Sequence, residues 1–213
     1  MSDMHLHGSA FYDFLRLRKR FFVDGLGWDI PHDDVVEMDQ YDTPLSHYSL
    51  VEHDGRIIAG ARCQPTHVAW GSHNCMMKDA ALGKLDGIPV DLFDPAMCRP
   101  DVWEGTRLVV GDDISSTTER IQCLALVIDG LMRVIGSSGG RSMITLSPPP
   151  LQRTAKMVGA EAHRISRTYV CDSDGREYAV FETRVARAVD RLVALGIDVD
   201  TLEAVRPPLR EAV

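Results

Sequence analysis

The sequence predicts a mixed α/β protein, one layered domain in which a sheet is covered by helices. Three observations lead there. Ile121, Leu124, Ala125, Ile128, Leu131, Met132 and Ile135 recur at helical spacing over 117–135. Two strand-like runs, 48–52 and 56–63, flank Asp54-Gly55, a strong hairpin turn. A further strand is expected over 102–110.

The remaining elements fill in around these. Phe11, Phe14, Leu15, Arg18 and Phe22 share one helical face over 11–22. The stretch 23–44 is rich in Gly, Asp and Pro, carries Trp28, and shows no period, so it is expected to be a mobile, functional loop. A third strand is expected at 66–70, and a short helix with an irregular connection over 76–92. Gly136 and the Ser-Ser-Gly-Gly after it end the long helix. A strand is expected at 142–146, a helix at 151–158, strands at 164–171 and 177–183, and a helix at 185–195. The order does not alternate regularly as β-α-β units do. One domain over 1–213 is expected, and a monomer.

Composition excludes several classes. The net charge of -8 argues against nonspecific nucleic-acid binding, which needs a basic surface. Two basic clusters interrupt that acidity: Arg16, Arg18, Lys19 and Arg20, and then Arg153, Lys156, Arg164 and Arg167. They are either solvated faces or docking patches for an acidic partner. The five cysteines are scattered without a C-x-x-C pair, and the N-terminus does not resemble a secretory signal, which points to reduced thiols and a cytoplasmic location. No apolar run reaches the roughly 20 residues of a membrane span. The histidines lack metal-ligand spacing, so no metal is expected. There is no dinucleotide fingerprint, Walker A loop or serine-hydrolase elbow.

What remains is charge in awkward places. Arg18 lies in an apolar stripe, where a guanidinium needs a partner. Asp39 and Asp42 precede the first strand, and Arg62 ends the second. Glu104 and Arg107 interrupt the strand 102–110; three apart, they face opposite sides unless a bulge intervenes, and bulges gather beside active sites. A buried ion-pair network that merely fixes the loop would use the same residues.

These residues also carry a resemblance. Leu17-Arg18-Lys19-Arg20-Phe21-Phe22 with Leu26-Gly27-Trp28, then Glu37-Met38-Asp39-Gln40-Tyr41-Asp42, then Gly60-Ala61-Arg62, then Trp103-Glu104-Gly105-Thr106-Arg107-Leu108 resemble, in order, motifs of the LuxI-type acyl-homoserine-lactone synthases. The resemblance implies a GCN5-related N-acetyltransferase-like fold, a mixed sheet splayed in the middle with helices on both faces. It implies an acyl donor on acyl carrier protein, with S-adenosylmethionine as substrate and no separate cofactor. The amine takes the acyl group; the carboxylate then displaces methylthioadenosine and closes the lactone. On this reading Glu104 is the base. Phe22 and Trp28 offer π-faces to a sulfonium or adenine. Asp39 and Asp42 bind the amine or hold Arg18 and Arg62, and Arg107 holds the substrate carboxylate or ties down Glu104. Thr145 aligns with a position that can bond a 3-oxo group, though threonine also suits any strand. Asp112 and Asp113 stand where a pyrophosphate cradle would lie, which favours a carrier-protein donor over coenzyme A. Arg153 and Lys156 are then the docking residues. Ala80 and Ala81 replace a bulky aromatic usual in the family, implying a reshaped acyl pocket. Two alternatives are a GCN5-like acyltransferase with another amine acceptor, its donor coenzyme A or not, and a non-catalytic ligand-binding domain of the same fold.

Overall fold

A computed structural model describes residues 7–204. Helix α1 (Ala10–Arg18) buries Phe14, Leu15, Leu17 and Arg18, then widens into a π-helical segment, Lys19–Gly25. The helix expected to run to Phe22 thus changes its hydrogen-bond step, with Leu26 N donating to Phe21 O. Strands β1 (His47–His53) and β2 (Arg56–Pro65) pair antiparallel through the expected turn. Both turn residues have positive φ, 50° at Asp54 and 72° at Gly55, as a two-residue hairpin of right-handed twist requires.

The expected strand at 66–70 does not form. The Thr66 N–H and hydroxyl both donate to the Val102 carbonyl, and the chain then leaves the sheet, making only a bridge between Trp70 and His73. Helix α2 (Met76–Ala81) follows, then a 3-10 turn (Pro95–Met97), and β3 (Val102–Val110) with the bounds read from the sequence. Helix α3 (Thr117–Ser137) begins at Ser116, whose hydroxyl accepts from the Glu119 amide. Strand β4 (Ser142–Ser147) and helix α4 (Leu151–Met157) come next.

The single strand expected over 164–171 is two short ones, β5 (Ala162–Arg164) and β6 (Tyr169–Val170), both paired with β7 (Glu177–Arg184). Between them the Ser166 hydroxyl, rather than a backbone carbonyl, accepts from the Val180 amide, so regular pairing stops there. The expected tail helix shortens to α5 (Val189–Ala194), and α6 (Val199–Ala204) follows it.

The sheet order is β1-β2-β3-β4-β7-β5, with β6 beside β7. Only β3 and β4 run parallel, and they pair over Val102–Gly105 alone, which leaves the sheet splayed beyond Gly105. One face packs Ala59, Ala61, Cys63, Trp103 and Met143 against α3. The other carries α1 and α2: Phe14 fills the space over Gly60, and Met77, Phe93, Val102, Ile144 and Val180 form a separate apolar cluster. This is the splayed, two-faced GCN5-related arrangement implied by the sequence motifs.

Candidate functional site

The α1-facing side of β2 and β3 is where charge collects. Alternation along β2 puts Arg62 and Gln64 on one face, and the antiparallel register sets them opposite Thr106 and Glu104. The register then slips between Gly60 and Arg62, so that Arg107 and Leu108 together oppose Ala61. Arg107 sits at this bulge with φ 55°, a left-handed conformation ordinarily left to glycine. The bulge turns Arg107 towards the face that Arg62 occupies.

Three arginines and three carboxylates close into a neutral cluster. Arg18, fully buried, grips Asp42 with both terminal nitrogens at 2.8 and 2.9 Å and donates through Nε to Glu37. Arg62, also fully buried, donates to Asp39 at 2.6 and 3.1 Å and to the Thr106 hydroxyl at 3.0 Å, and forms an ion pair with Asp42 at 2.9 Å. Arg107 Nη2 reaches Asp39 at 2.8 Å and Glu37 at 3.2 Å. The Tyr48 hydroxyl adds a bond to Asp42 at 2.8 Å. Burial pushes the Asp39 carboxyl up, but Arg62 and Arg107 outweigh it and hold it well below the usual carboxylate range. Asp42 is lowered likewise, against its own burial, by Arg62 and Arg18. The cluster pins the second half of the long loop: Glu37 N donates to Leu15 O, and Asp39 N to Asp42 Oδ2.

Glu104 stands apart from these cations. It is fully buried, and its oxygens accept from the amides of Met77 (2.7 Å) and Met76 (2.9 Å) and from the Gln64 side chain (3.1 Å). Burial raises its proton affinity above the ordinary glutamate value; the three donors only partly oppose that. Arg107 donates to Glu37 and pairs with Asp39, not with Glu104.

Aromatic rings continue the cluster from Arg107. Its guanidinium lies 5.5 Å from the centre of the Phe22 ring, and Phe22 stacks on Trp28 at 4.9 Å. The π-helical segment and Gly27, at φ 70°, bring Trp28 N back to Phe22 O. Trp28 is then latched from the far end of the sheet: its indole N–H donates to Asp174 at 2.9 Å, and Tyr178 donates to the same carboxylate oxygen at 2.6 Å.

The structure therefore brings together Arg18, Phe22, Trp28, Asp39, Asp42, Arg62 and Arg107, with Glu104 on the same face two residues along β3 from Thr106. It does not bring Thr145 to them. Thr145 pairs with Gly105 and lies with Met143 on the α3 side, at the point where β3 and β4 part. Arg153 and Lys156 are exposed on α4. Asp113 pairs with Arg56 at 3.1 Å, and Arg120 donates to the carbonyls of Gly111 and Ile114. Glu37, Gln64 and Asp174 join the site without having been singled out as site residues. Gln64 follows Arg62 by the strand period of two and was findable that way. Glu37 stands among several acids in a loop without a period, and Asp174 lies 146 positions from Trp28. Among the described residues no group of His, Cys, Asp or Glu side chains is placed to hold a metal ion. No helix among them is long and apolar enough to cross a membrane.

A mixed sheet splayed between β3 and β4, with helices on both faces and the charged cluster on one of them, is the GCN5-related fold. The sequence model of the autoinducer synthase family matches residues 3–182, and the chain belongs to that family. It is 27% identical over 159 residues to an acyl-homoserine-lactone synthase of Acinetobacter nosocomialis, covering 71% of this chain and 80% of that one. Its fold is similar to that of TofI in a ternary complex with an inhibitor and MTA, at 24% identity and a TM-score of 0.66, over 91% of each chain. It is similar also to BjaI, a coenzyme A-dependent acyl-homoserine lactone synthase solved with SAM and isopentyl-CoA, at 18% identity and a TM-score of 0.69, over 91% of this chain and 85% of that one.

Proposed function

We propose that this enzyme transfers an acyl group from acyl carrier protein to the amine of S-adenosylmethionine and closes the product to a homoserine lactone, releasing methylthioadenosine. The observation that carries the reading is Glu104, a carboxylate of raised proton affinity buried on the face that holds the charged cluster. The substrate's ammonium must lose a proton before it attacks. Oε1 of Glu104 takes a single hydrogen bond, from Met77, and so keeps a lone pair for that proton. The amine attacks the thioester carbonyl and expels the pantetheine thiolate. The carboxylate then attacks the carbon beside the sulfonium, whose C–S bond breaks.

In this scheme Phe22 and Trp28 face the sulfonium or adenine, and Arg107, the most exposed member of the cluster, faces the substrate carboxylate. Arg18, Arg62, Asp39 and Asp42 hold that wall in place. The acyl chain lies along the apolar cluster of Met77, Ile144 and Val180, and Thr145 lies across the splay between β3 and β4, on the α3 side. The chain acts as one domain; within the 23–44 segment the part ahead of Glu37 opens to admit substrate, while Glu37, Asp39 and Asp42 stay anchored to the arginines. Asp112 and Asp113 beside the start of α3, with Arg120 spent on the loop's carbonyls, offer a pyrophosphate poor lodging and support a carrier-protein donor.

Mass spectrometry of an expressing host tests the reaction: acyl-homoserine lactone and methylthioadenosine are expected together, and the absence of both refutes it. The docking half is tested by Arg153→Glu with Lys156→Glu. Exposed pairs contribute only about 0.2–1 kcal/mol each, so the double reversal is expected to lower kcat/KM for acyl carrier protein about tenfold at low salt. The same acyl group on coenzyme A should be used as before. Equal effects on both donors would place the docking surface elsewhere.

A further inference from the structure

Five thiols are free, and four of them divide into inert and paired. Cys63 is buried in the core, and burial pushes its thiol up to about 12. Cys123 is buried on α3, and its thiol too is raised by burial. Cys171 lies partly exposed beside Ser173. Cys75 and Cys98 face each other with their sulfurs 3.9 Å apart, close to van der Waals contact and already sharing an S–H···S hydrogen bond. They are the only cysteine pair so placed among the described residues.

Their position matters more than their proximity. Cys75 is the residue before α2, and the next two amides, Met76 N and Met77 N, are the donors that hold Glu104. Cys98 follows the 3-10 turn and lies four residues before β3, the strand that carries Glu104. A bond between the two sulfurs would draw the start of α2 towards the entry of that strand.

We propose that Cys75 and Cys98 form an oxidation site, in which a hydroperoxide converts the thiol pair to a disulfide that shifts the amides holding Glu104. Cys98 is the sulfur that reacts first. It is partly exposed whereas Cys75 is buried, and the hydrogen bond from Cys75, with Lys78 nearby, favours its thiolate. The thiolate attacks one peroxide oxygen, the O–O bond breaks, and the departing hydroxide takes a proton to leave as water. Cys98 is then a sulfenic acid. Cys75 attacks that sulfur, the S–O bond breaks, and the hydroxide leaves with the Cys75 proton as a second water. Two thiols have lost two electrons and one peroxide has gained them. The second step is internal, so the burial of Cys75 does not impede it. The S–S distance falls from 3.9 Å to about 2.05 Å, and the shift is taken up at the backbone of Cys75, of Cys98, or both.

The effect on turnover rests on the proposed role of Glu104; the bond itself does not. The full-length protein is treated with hydrogen peroxide, the remaining thiols are alkylated, and peptides are mapped by mass. A linked Cys75–Cys98 pair, reversed by dithiothreitol, is expected as the main product. Amide exchange at Met76 and Met77 should speed up in the oxidised protein. Turnover should fall about tenfold or more, because a misplacement of 1 Å costs about 10²-fold, and should return on reduction. Cys98→Ala should keep its basal rate and lose its peroxide sensitivity. Oxidation of Cys98 to the sulfinic acid with Cys75 still free, or of Cys171 in preference, overturns the site. A disulfide that leaves exchange at Met76 and Met77 unchanged overturns the coupling to Glu104. Those two readouts need no assay of the reaction, so they stand or fall separately from the lactone chemistry.

Discussion

Asp39 and Glu104 are both buried carboxylates on one side of the sheet, and their surroundings give them opposite properties. Asp39 is met by two guanidinium groups and stays an anion far into acid. Glu104 is met by two backbone amides and a carboxamide, which carry partial charges only, and burial raises its proton affinity. Full charges fix a protonation state, whereas dipoles hold a carboxylate in place and leave it able to take a proton. The first kind of site builds a wall; the second can do acid–base work.

The comparison breaks most severely at the cluster. Asp42→Ala leaves Arg18 and Arg62 without their shared acceptor, and removing one partner of a buried pair costs about 3–5 kcal/mol. Chemical denaturation should register that loss, and a cost below about 1 kcal/mol would mean that solvent reaches the cluster. Glu104→Gln is expected to cut turnover by about 10²–10⁴-fold. It should also cost about 1–3 kcal/mol, because a carboxamide must turn its NH2 towards one of the two amides that now donate to Glu104. Wild-type rates in this variant would remove Glu104 from the chemistry.

Acid separates the two carboxylates without mutation. The stability contributed by the lowered Asp39 and Asp42 is full above their unfolded values near 4 and is lost only as pH falls through their lower folded values. Glu104 runs the other way: its raised value favours the fold below the unfolded value, and that contribution is lost as pH rises through the folded one. Turnover should therefore fall, as pH drops through the raised Glu104 value, while circular dichroism still reports a folded protein. An activity loss that coincides with unfolding would contradict this. The smallest effect belongs to the latch on Trp28. Asp174→Ala removes hydrogen bonds worth about 0.5–1.5 kcal/mol each and should raise KM for S-adenosylmethionine with kcat nearly unchanged. Asp174→Asn keeps a carbonyl acceptor for the indole and should recover most of the loss.

Much of this was legible in the sequence, for a physical reason. Arg18, Arg62, Glu104 and Arg107 are charges in apolar runs, and such residues must be partnered or functional. The hairpin at Asp54-Gly55 and the strand through Glu104 follow from local turn chemistry and period. What failed depended on neighbours that a local pattern does not specify. The run 66–70 has strand-like residues, but β3 begins at Val102, where Thr66 already bonds, and the residues after Thr66 pair with no strand. The stretch 164–171 breaks because a serine hydroxyl substitutes for a carbonyl. In the acidic loop, Glu37, Asp39 and Asp42 are buried while Asp33 and Asp34 are exposed, and only the positions of the three arginines decide which is which.

The left-handed backbone at Arg107 has a consequence for how this protein tolerates change. A glycine there would adopt φ 55° without strain, relieving about 1–2 kcal/mol, yet it would leave Glu37 and Asp39 short of a cation. Leaving a buried carboxylate without its partner costs about 3–5 kcal/mol, so the glycine would lose more in the cluster than it gains in the backbone. Arginine holds a glycine's place because its charge is worth more to the cluster than its backbone conformation costs.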